Sequence, residues 1–174
     1  MESLQNTYQQ SEGNLALAAR PGKYLTFNLA TEQYGLDILK IQEIVGMLKV
    51  TRVPRTPVFI RGVVNLRGKV IPVVDLRLKF GMEGVQDTEK TCIIVTQIHR
   101  NSQQVTMGII VDEVSEVIDI ASDQLENPPE FGGDVNTQFL IGLGKIGQKV
   151  VMLLDVDKVL SGEELSIVNQ CGDV

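Results

Sequence analysis

Gly62-Val-Val-Asn-Leu-Arg-Gly-Lys-Val-Ile-Pro-Val-Val-Asp75-Leu76 and, further along the chain, Gly142-Leu-Gly-Lys-Ile-Gly-Gln-Lys-Val-Val-Met-Leu-Leu-Asp155-Val156 are written in one pattern. Without a gap, Gly62 matches Gly142, Lys69 matches Lys149, Val70 matches Val150 and Asp75 matches Asp155. Each Asp follows a run of aliphatic residues. A second echo precedes each stretch, because Gly35-Leu-Asp-Ile-Leu-Lys-Ile41-Gln-Glu43-Ile44-Val45 lines up with Gly108-Ile-Ile-Val-Asp-Glu-Val114-Ser-Glu116-Val117-Ile118. The order is first echo, second echo, then both again. That order reads as two tandem copies of one small β-unit, and finding it first changes the fold that the remaining signals support.

Working outward from the duplicated stretches, Val63 to Leu66 and Val70 to Val74 read as a hairpin around Arg67-Gly68, where Gly supplies the positive φ of a tight turn. Asp75 is placed to cap a short helix through Phe80, and Asp155 takes the equivalent position in the second copy. Upstream, Tyr24 to Leu29 alternates like a half-buried strand and Tyr34 to Ile38 returns after a polar turn. Leu39 to Val45 fits a further strand or a short helical turn. Arg55-Thr56-Pro57 has the form of a helix start, with Thr56 as N-cap, Pro57 at the first position and Gly62 as the stop. In the second copy, strands are expected at Thr91 to Ile98 and Val105 to Val111 around the polar turn His99 to Gln103, then at Val114 to Ile118. A closing hairpin follows Phe139 to Leu143. Ser161-Gly-Glu-Glu164 spells a capping box, so a helix of about two turns runs from Gly162 towards Asn169, too short to stand undocked. The expected organisation is a flexible leader at 1–22, a first β-barrel lobe at 23–80, a linker at 81–90, a second lobe at 91–160, and a helix with tail at 161–174. Strand exchange between the lobes is left open. Barrels of roughly 65 residues are marginal alone and should share an apolar seam.

Composition narrows function mainly by exclusion. The 174 residues are 43% hydrophobic, enough for a core, and carry a formal charge of -6. They lack the basic field with which nucleic-acid binders neutralise phosphates. Cys92 and Cys171 form neither a metal pair nor a redox motif, a usage that fits a reducing cytoplasm. The N-terminus has no secretion-signal pattern, and charged or polar residues break every apolar run short of the about 18 needed for a membrane span. His99 is the single histidine, in an expected solvated turn with no nucleophile beside it. Asp112, Glu113 and Glu116 form an acidic cluster without the alternating oxygen ligands of a calcium loop. No catalytic, cofactor or metal site is expected.

Arg67 is the residue that asks for a reason. The second copy keeps the following Lys as Lys149 but has Gly147 where the first has Arg67, so the turn itself does not need the Arg. Arg67 and Lys69 read either as two solvated cations at a hairpin tip or as an anion holder. Glu43 and Glu116 both sit between aliphatic neighbours, which suggests a shared structural task such as accepting backbone hydrogen bonds.

The stretches Tyr34 to Ile44, Pro57 to Phe80, Met107 to Val117, Pro128-Pro-Glu130-Phe131 and Leu140 to Gly144 together resemble the CheW family of bacterial chemotaxis coupling proteins. The likeness runs from about Lys23 to Leu165, with Asn-Leu-Arg-Gly followed by Pro-Val-Val-Asp-Leu as its specific signature. The resemblance implies a mainly β fold of two tandem, five-stranded, SH3-like barrels around a shared hydrophobic seam, with short helices and a C-terminal helix. It implies a non-enzymatic adaptor without cofactor that binds the cytoplasmic tips of transmembrane chemoreceptors and the regulatory domain of the histidine kinase CheA on separate surfaces. Carried onto this chain, the receptor-facing residues are Ile41, Glu43, Ile44, Arg67, Val114 and Val117, with core packing as the alternative role of Ile41, Val114 and Val117. The kinase-facing residues are Val63, Val70, Glu130 and Phe131. The implied setting is cytoplasmic, monomeric when isolated and recruited to membrane-associated receptor arrays, with neither nucleic acid nor direct membrane insertion. The polar leader departs from the family pattern, and no receiver domain of the related CheV adaptors follows the β-lobes. The alternative reading is a small β-barrel that binds an anionic ligand or nucleic acid through Arg67 and Lys69.

Overall fold

The computed structural model describes residues 19–100, 102–129 and 138–172. In chain order its strands are β1 (Gly22–Leu29), β2 (Glu32–Asp37), β3 (Ile41–Gly46), β4 (Ile60–Leu66), β5 (Lys69–Asp75), β6 (Cys92–Arg100), β7 (Gln103–Val111), β8 (Glu113–Ile120), β9 (Leu125–Glu126), β10 (Leu140–Ile146) and β11 (Lys149–Leu154). The helices are α1 (Leu76–Lys79) and α2 (Gly162–Gly172), with 3₁₀ turns at Ile38–Lys40, Ser122–Gln124 and Val156–Lys158. One sheet runs β3-β6-β7-β5-β4 and the other β8-β1-β2-β11-β10-β9.

The sheets do not follow the order of the sequence copies. Strands β1 and β2 of the first copy join β8, β10 and β11 of the second, and β6 and β7 of the second join β3, β4 and β5 of the first. Matching the copies strand for strand turns one sheet order into the other, so the molecule has an internal pseudo-two-fold. The registers agree to the residue. Val73 pairs in parallel with Gly108, and its counterpart Leu153 pairs in parallel with Gly35. At both glycines the parallel neighbour's side chain leans over the position, joined at Gly108 by Ile93 of the antiparallel β6 at 2.6 Å. A Cβ at Gly108 would sit 2.9 Å from Val73 Cγ1, and one at Gly35 would sit 2.9 Å from Leu153 Cδ2.

Irregularities are duplicated too. The β4–β5 ladder slips between Ile60 and Gly62, and the β10–β11 ladder slips between Leu140 and Gly142. Asp75 N donates to Phe59 O at 2.7 Å and Asp155 N to Phe139 O at 2.8 Å. Each Asp then accepts a backbone N–H of the short helix it opens, from Leu78 at 3.4 Å and from Asp157 at 3.0 Å. The two-residue β9, which makes the second sheet six-stranded rather than five, pairs Glu126 with Leu143. Its counterpart in the first sheet is the single bridge from Thr51 to Val63.

Three apolar clusters hold the sheets. Val64, Ile71, Val73, Ile93, Val95 and Ile110 fill one barrel, and Ala19, Tyr24, Ile120, Val151 and Leu153 fill the other. The largest lies between them and takes residues from both sheets, including Phe27, Leu29, Leu36, Val74, Ile94 and Met107. A series of ring contacts from Phe27 to Tyr34, Phe80 and Phe139, stacked at both ends and tilted between Tyr34 and Phe80, crosses this seam. Full burial of a side chain such as Phe27 contributes about 1.5–3 kcal/mol. The interior is therefore one structure with three rooms, and its centre belongs to neither barrel.

The C-terminal helix forms on the capping box, with Ser161 N donating to Glu164 Oε1 at 2.8 Å and Glu164 N to Ser161 Oγ at 3.1 Å. It docks through the buried Leu165 and Val168. Two local expectations fail. No helix starts at Pro57: Thr56 Oγ1 donates to Val53 O at 2.9 Å instead of capping, and Ile60 to Leu66 is claimed by pairing with β5. His99 is not in the turn but inside β6, opposite Gln104, because the ladder runs on to Arg100 and Gln103. Leu39 to Val45 combines both readings offered for it, a 3₁₀ turn followed by β3.

Candidate functional site

Strands β3 and β8 are the outer strands of their sheets on equivalent edges. Ile41 at the start of β3 and Val114 near the start of β8 both pack against the central seam cluster. Ile44 and Val117, one turn of the pleat further on, are 41% and 48% exposed. These four aliphatic residues thus divide, with the first of each strand anchoring it to the seam and the second facing outward. Solvent-facing aliphatic side chains on edge strands invite a partner, since burying them is favourable and an edge otherwise needs protection.

The first hairpin tip overhangs β3. Arg67 and Gly68 both have positive φ, 52° and 87°, and Asn65 Oδ1 accepts the Gly68 N–H at 2.7 Å. For a residue with a Cβ the left-handed region costs roughly 1–2 kcal/mol, so Arg occupies a position that suits Gly. The side chain accounts for its presence: Arg67 Nη2 donates to Glu43 Oε1 at 2.5 Å. The Arg67 side chain is 68% exposed and that of Glu43 25%. An ion pair so exposed contributes little to stability, about 0–1 kcal/mol, and fits a role in holding a polar rim next to the apolar strand. In the second copy Gly147 takes the positive φ, at 62°, and no such pair forms with Glu116.

Of the sequence-predicted residues, then, the fold brings Glu43 and Arg67 into contact and sets Ile41 and Val114 on a common cluster. Among the described residues Glu43 accepts no backbone hydrogen bond, unlike the expectation; its carboxylate takes the Arg67 guanidinium. In the counterpart strand it is the Glu116 backbone that bonds Thr26 Oγ1. Val63 and Val70 lie half-buried on the β4–β5 hairpin, opposite Pro72 and Asn65 respectively. Glu130 and Phe131 lie outside the described residues. Lys69 Nζ reaches Thr106 Oγ1 at 3.4 Å. Asp112 is not part of a cation cluster, for Arg77 Nε donates to its Oδ1 at 2.7 Å. Burial raises its carboxyl pKa, but the Arg77 hydrogen bond, the Ala30 N–H and the Arg77 charge outweigh this and hold it below the ordinary value. Among the described residues, no three or more His, Cys, Asp or Glu gather to hold a metal. The 3₁₀ turn before β3, one of the two readings offered for Leu39 to Val45, carries Leu39 at 88% exposure.

Two seam-joined β-sheets that present outward aliphatic residues on equivalent edges, one beside a paired cation, define a β-barrel binding module. The comparisons with known proteins identify which one. A family model for the CheW-like domain matches residues 23–164. The chemotaxis protein CheW of Klebsiella aerogenes is 45% identical over 147 residues, covering 84% of this chain and 86% of its own. Helicobacter pylori CheW is 36% identical, covering 79% and 81%. The crystal structure of the scaffolding protein CheW from Thermoanaerobacter tengcongensis superposes with a TM-score of 0.72 at 36% identity, covering 83% of this chain and 96% of that one. The chain belongs to the CheW family: it is a non-catalytic scaffold or adaptor of chemotaxis signalling, built as tandem SH3-like barrels.

Proposed function

We infer that this adaptor couples the cytoplasmic tips of transmembrane chemoreceptors to the histidine kinase CheA, in the cytoplasm and within receptor arrays at the membrane. The receptor tip, an amphipathic helical hairpin, lays its apolar face along the seam edge formed by Ile41, Ile44, Val114 and Val117, and the Arg67–Glu43 pair orients it at the rim. The kinase regulatory domain takes a separate face, the β4–β5 hairpin with Val63 and Val70, together with Glu130 and Phe131. The single observation that carries the receptor assignment is Arg67 itself: a strained backbone position occupied by a residue whose only described side-chain hydrogen bond is to Glu43. The anion-binding alternative loses support from the same contact, because Arg67 is already neutralised by a carboxylate.

Calorimetry with a receptor cytoplasmic fragment and, separately, a CheA regulatory-domain fragment tests the reading. Arg67→Ala should weaken receptor binding about tenfold, a change of about 1.4 kcal/mol, while leaving kinase binding and the unfolding midpoint nearly unchanged. Loss of both bindings together, or saturable uptake of an oligonucleotide by the unmodified protein, would reject it.

A further inference from the structure

The chain passes between the two sheets where β2 leads through the turn Ile38–Lys40 into β3, and where β7 leads through Asp112 into β8. These passages are pseudo-two-fold equivalents. Each delivers one of the outer strands assigned above to the receptor: Lys40 immediately precedes β3, and Asp112 immediately precedes β8. At each passage a carboxylate ties both sheets together. Asp112 accepts the Ala30 N–H, from the turn that closes β1 and β2, at 2.8 Å. It also accepts Arg77 of α1, which follows β5 of the opposite sheet. Asp157, in the turn after β11, accepts the His99 N–H of β6 in the opposite sheet at 3.0 Å and Lys40 Nζ at 2.9 Å.

Matching the sequence copies places Arg77 at the position of Asp157, and Lys40 beside the position of Asp112, so the equivalent ties carry opposite polarity. At one passage the crossover supplies the cation and the short helix the anion; at the other the roles are exchanged. The same bridge is therefore made twice with different side chains, which a chance surface pair would not be. The side chains are only partly exposed, 36% and 21% for Lys40 and Asp157 and 15% and 24% for Arg77 and Asp112, so water screens these pairs less than the rim pair.

We propose that Lys40–Asp157 and Arg77–Asp112 are positioning pairs for receptor binding: they staple the two sheets at the roots of β3 and β8 and so fix the spacing of the strands that grip the receptor hairpin. Neither pair touches the receptor. They act by removing relative rotation of the sheets, which a rigid partner would otherwise have to freeze on binding. The proposal rests on the receptor reading given above, and its test includes a measurement that needs no receptor.

Spin labels at positions 44 and 117 report the separation of β3 and β8 by pulsed electron resonance. In otherwise unmodified protein the distance distribution should be narrow. Lys40→Met combined with Asp112→Asn should broaden it, and Lys40→Arg alone should not, because the cation is kept. In unlabelled protein the double variant should bind the receptor fragment about 3- to 10-fold more weakly, the size of effect exerted by coupled residues outside a binding face. Its affinity for the kinase regulatory domain should stay the same. If the double variant unfolds too readily, Lys40→Met alone gives the same readings with one staple intact. An unchanged distance distribution in a folded variant overturns the proposal, as does a broadened one with unchanged receptor affinity. Failure of the unmodified protein to bind the receptor fragment instead rejects the receptor reading, while the distances still decide whether the pairs staple the sheets.

Discussion

The two sheets share registers, slipped ladders and Asp caps, yet their hairpin tips have been put to different use. On the first, Arg67 is held in a conformation that favours Gly and reaches Glu43; on the second, Gly147 takes the positive φ and has no side chain to reach Glu116. The clefts beside the hairpins differ in the same way. Val168 and Asn169 of α2 border the one lined by Lys69, Val70 and Thr106. Among the described residues, those lining the equivalent cleft, Lys149, Val150 and Gln33 among them, include none from a helix. What is duplicated is the part that closes a barrel; what differs is the hairpin tip and what lies against the cleft beside it. A duplicated scaffold thus separates the residues that both copies need from those that one copy carries alone.

The comparison breaks most readily at its paired glycines. A Cβ at Gly62 would stand 2.1 Å from Thr51 O with φ at 146°, whereas one at Gly142, where φ is not in the left-handed region, would meet Ala19 Cβ at 2.6 Å and Glu126 O at 3.2 Å. Gly62→Ala should cost about 3 kcal/mol and Gly142→Ala about 1 kcal/mol, read as shifts in denaturation midpoint. Equal losses would show that the bulges bear the same constraint. The crossovers should part next. Removing the charge at Asp112 is expected to cost about 2 kcal/mol at neutral pH, as for a hydrogen bond to a charged group. Because the folded carboxyl titrates below its unfolded value, that stability is present above about pH 4 and is lost as pH falls through the depressed folded pKa. Asp112→Asn should therefore flatten the acid limb of a stability profile measured from pH 7 to 2. A limb as steep as in the unmodified protein would assign acid sensitivity elsewhere, with Glu164 next in line. Burial raises the Glu164 pKa, but Lys79 and the Ser161 N–H overcome this and lower it. The smallest effect is the sharpest. Arg67→Gly makes the first tip like the second and should change stability by no more than about 1 kcal/mol, strain relief offsetting the lost ion pair. Receptor affinity should nonetheless fall, and a variant that keeps full affinity would strip the tip of its distinction.

The duplication was legible because hairpin turns, helix caps and aliphatic runs are local and leave their marks in consecutive residues. The exchange of strands between copies was not, since two copies of one pattern offer each strand two equally suited partners. Its trace was present in Gly35 and Gly108, glycines inside strands with no turn to explain them, which mark a close approach by a neighbouring strand. At Pro57 a good local helix signal lost to the pairing of Ile60 to Leu66 with β5, tertiary structure overriding propensity. His99 was misplaced because a ladder is extended by backbone pairing, to which a polar side chain is indifferent. For the candidate site, the oddity of Arg67 was visible against Gly147. Its partner was not, because contact between residues so far apart depends on the fold.

The parallel pairing of β2 with β11 also sets a timetable for synthesis. Strand β2 is complete at Asp37, but the strand that covers its free edge begins at Lys149. At roughly 5–20 residues per second the β2 edge of the β1–β2 hairpin waits on the order of ten seconds uncovered, while the β1 edge is covered earlier, by β8. The nascent chain is thus most prone to aggregation long before its end is made, and slowing translation late in the message should lower the yield of folded protein more than slowing it at the start.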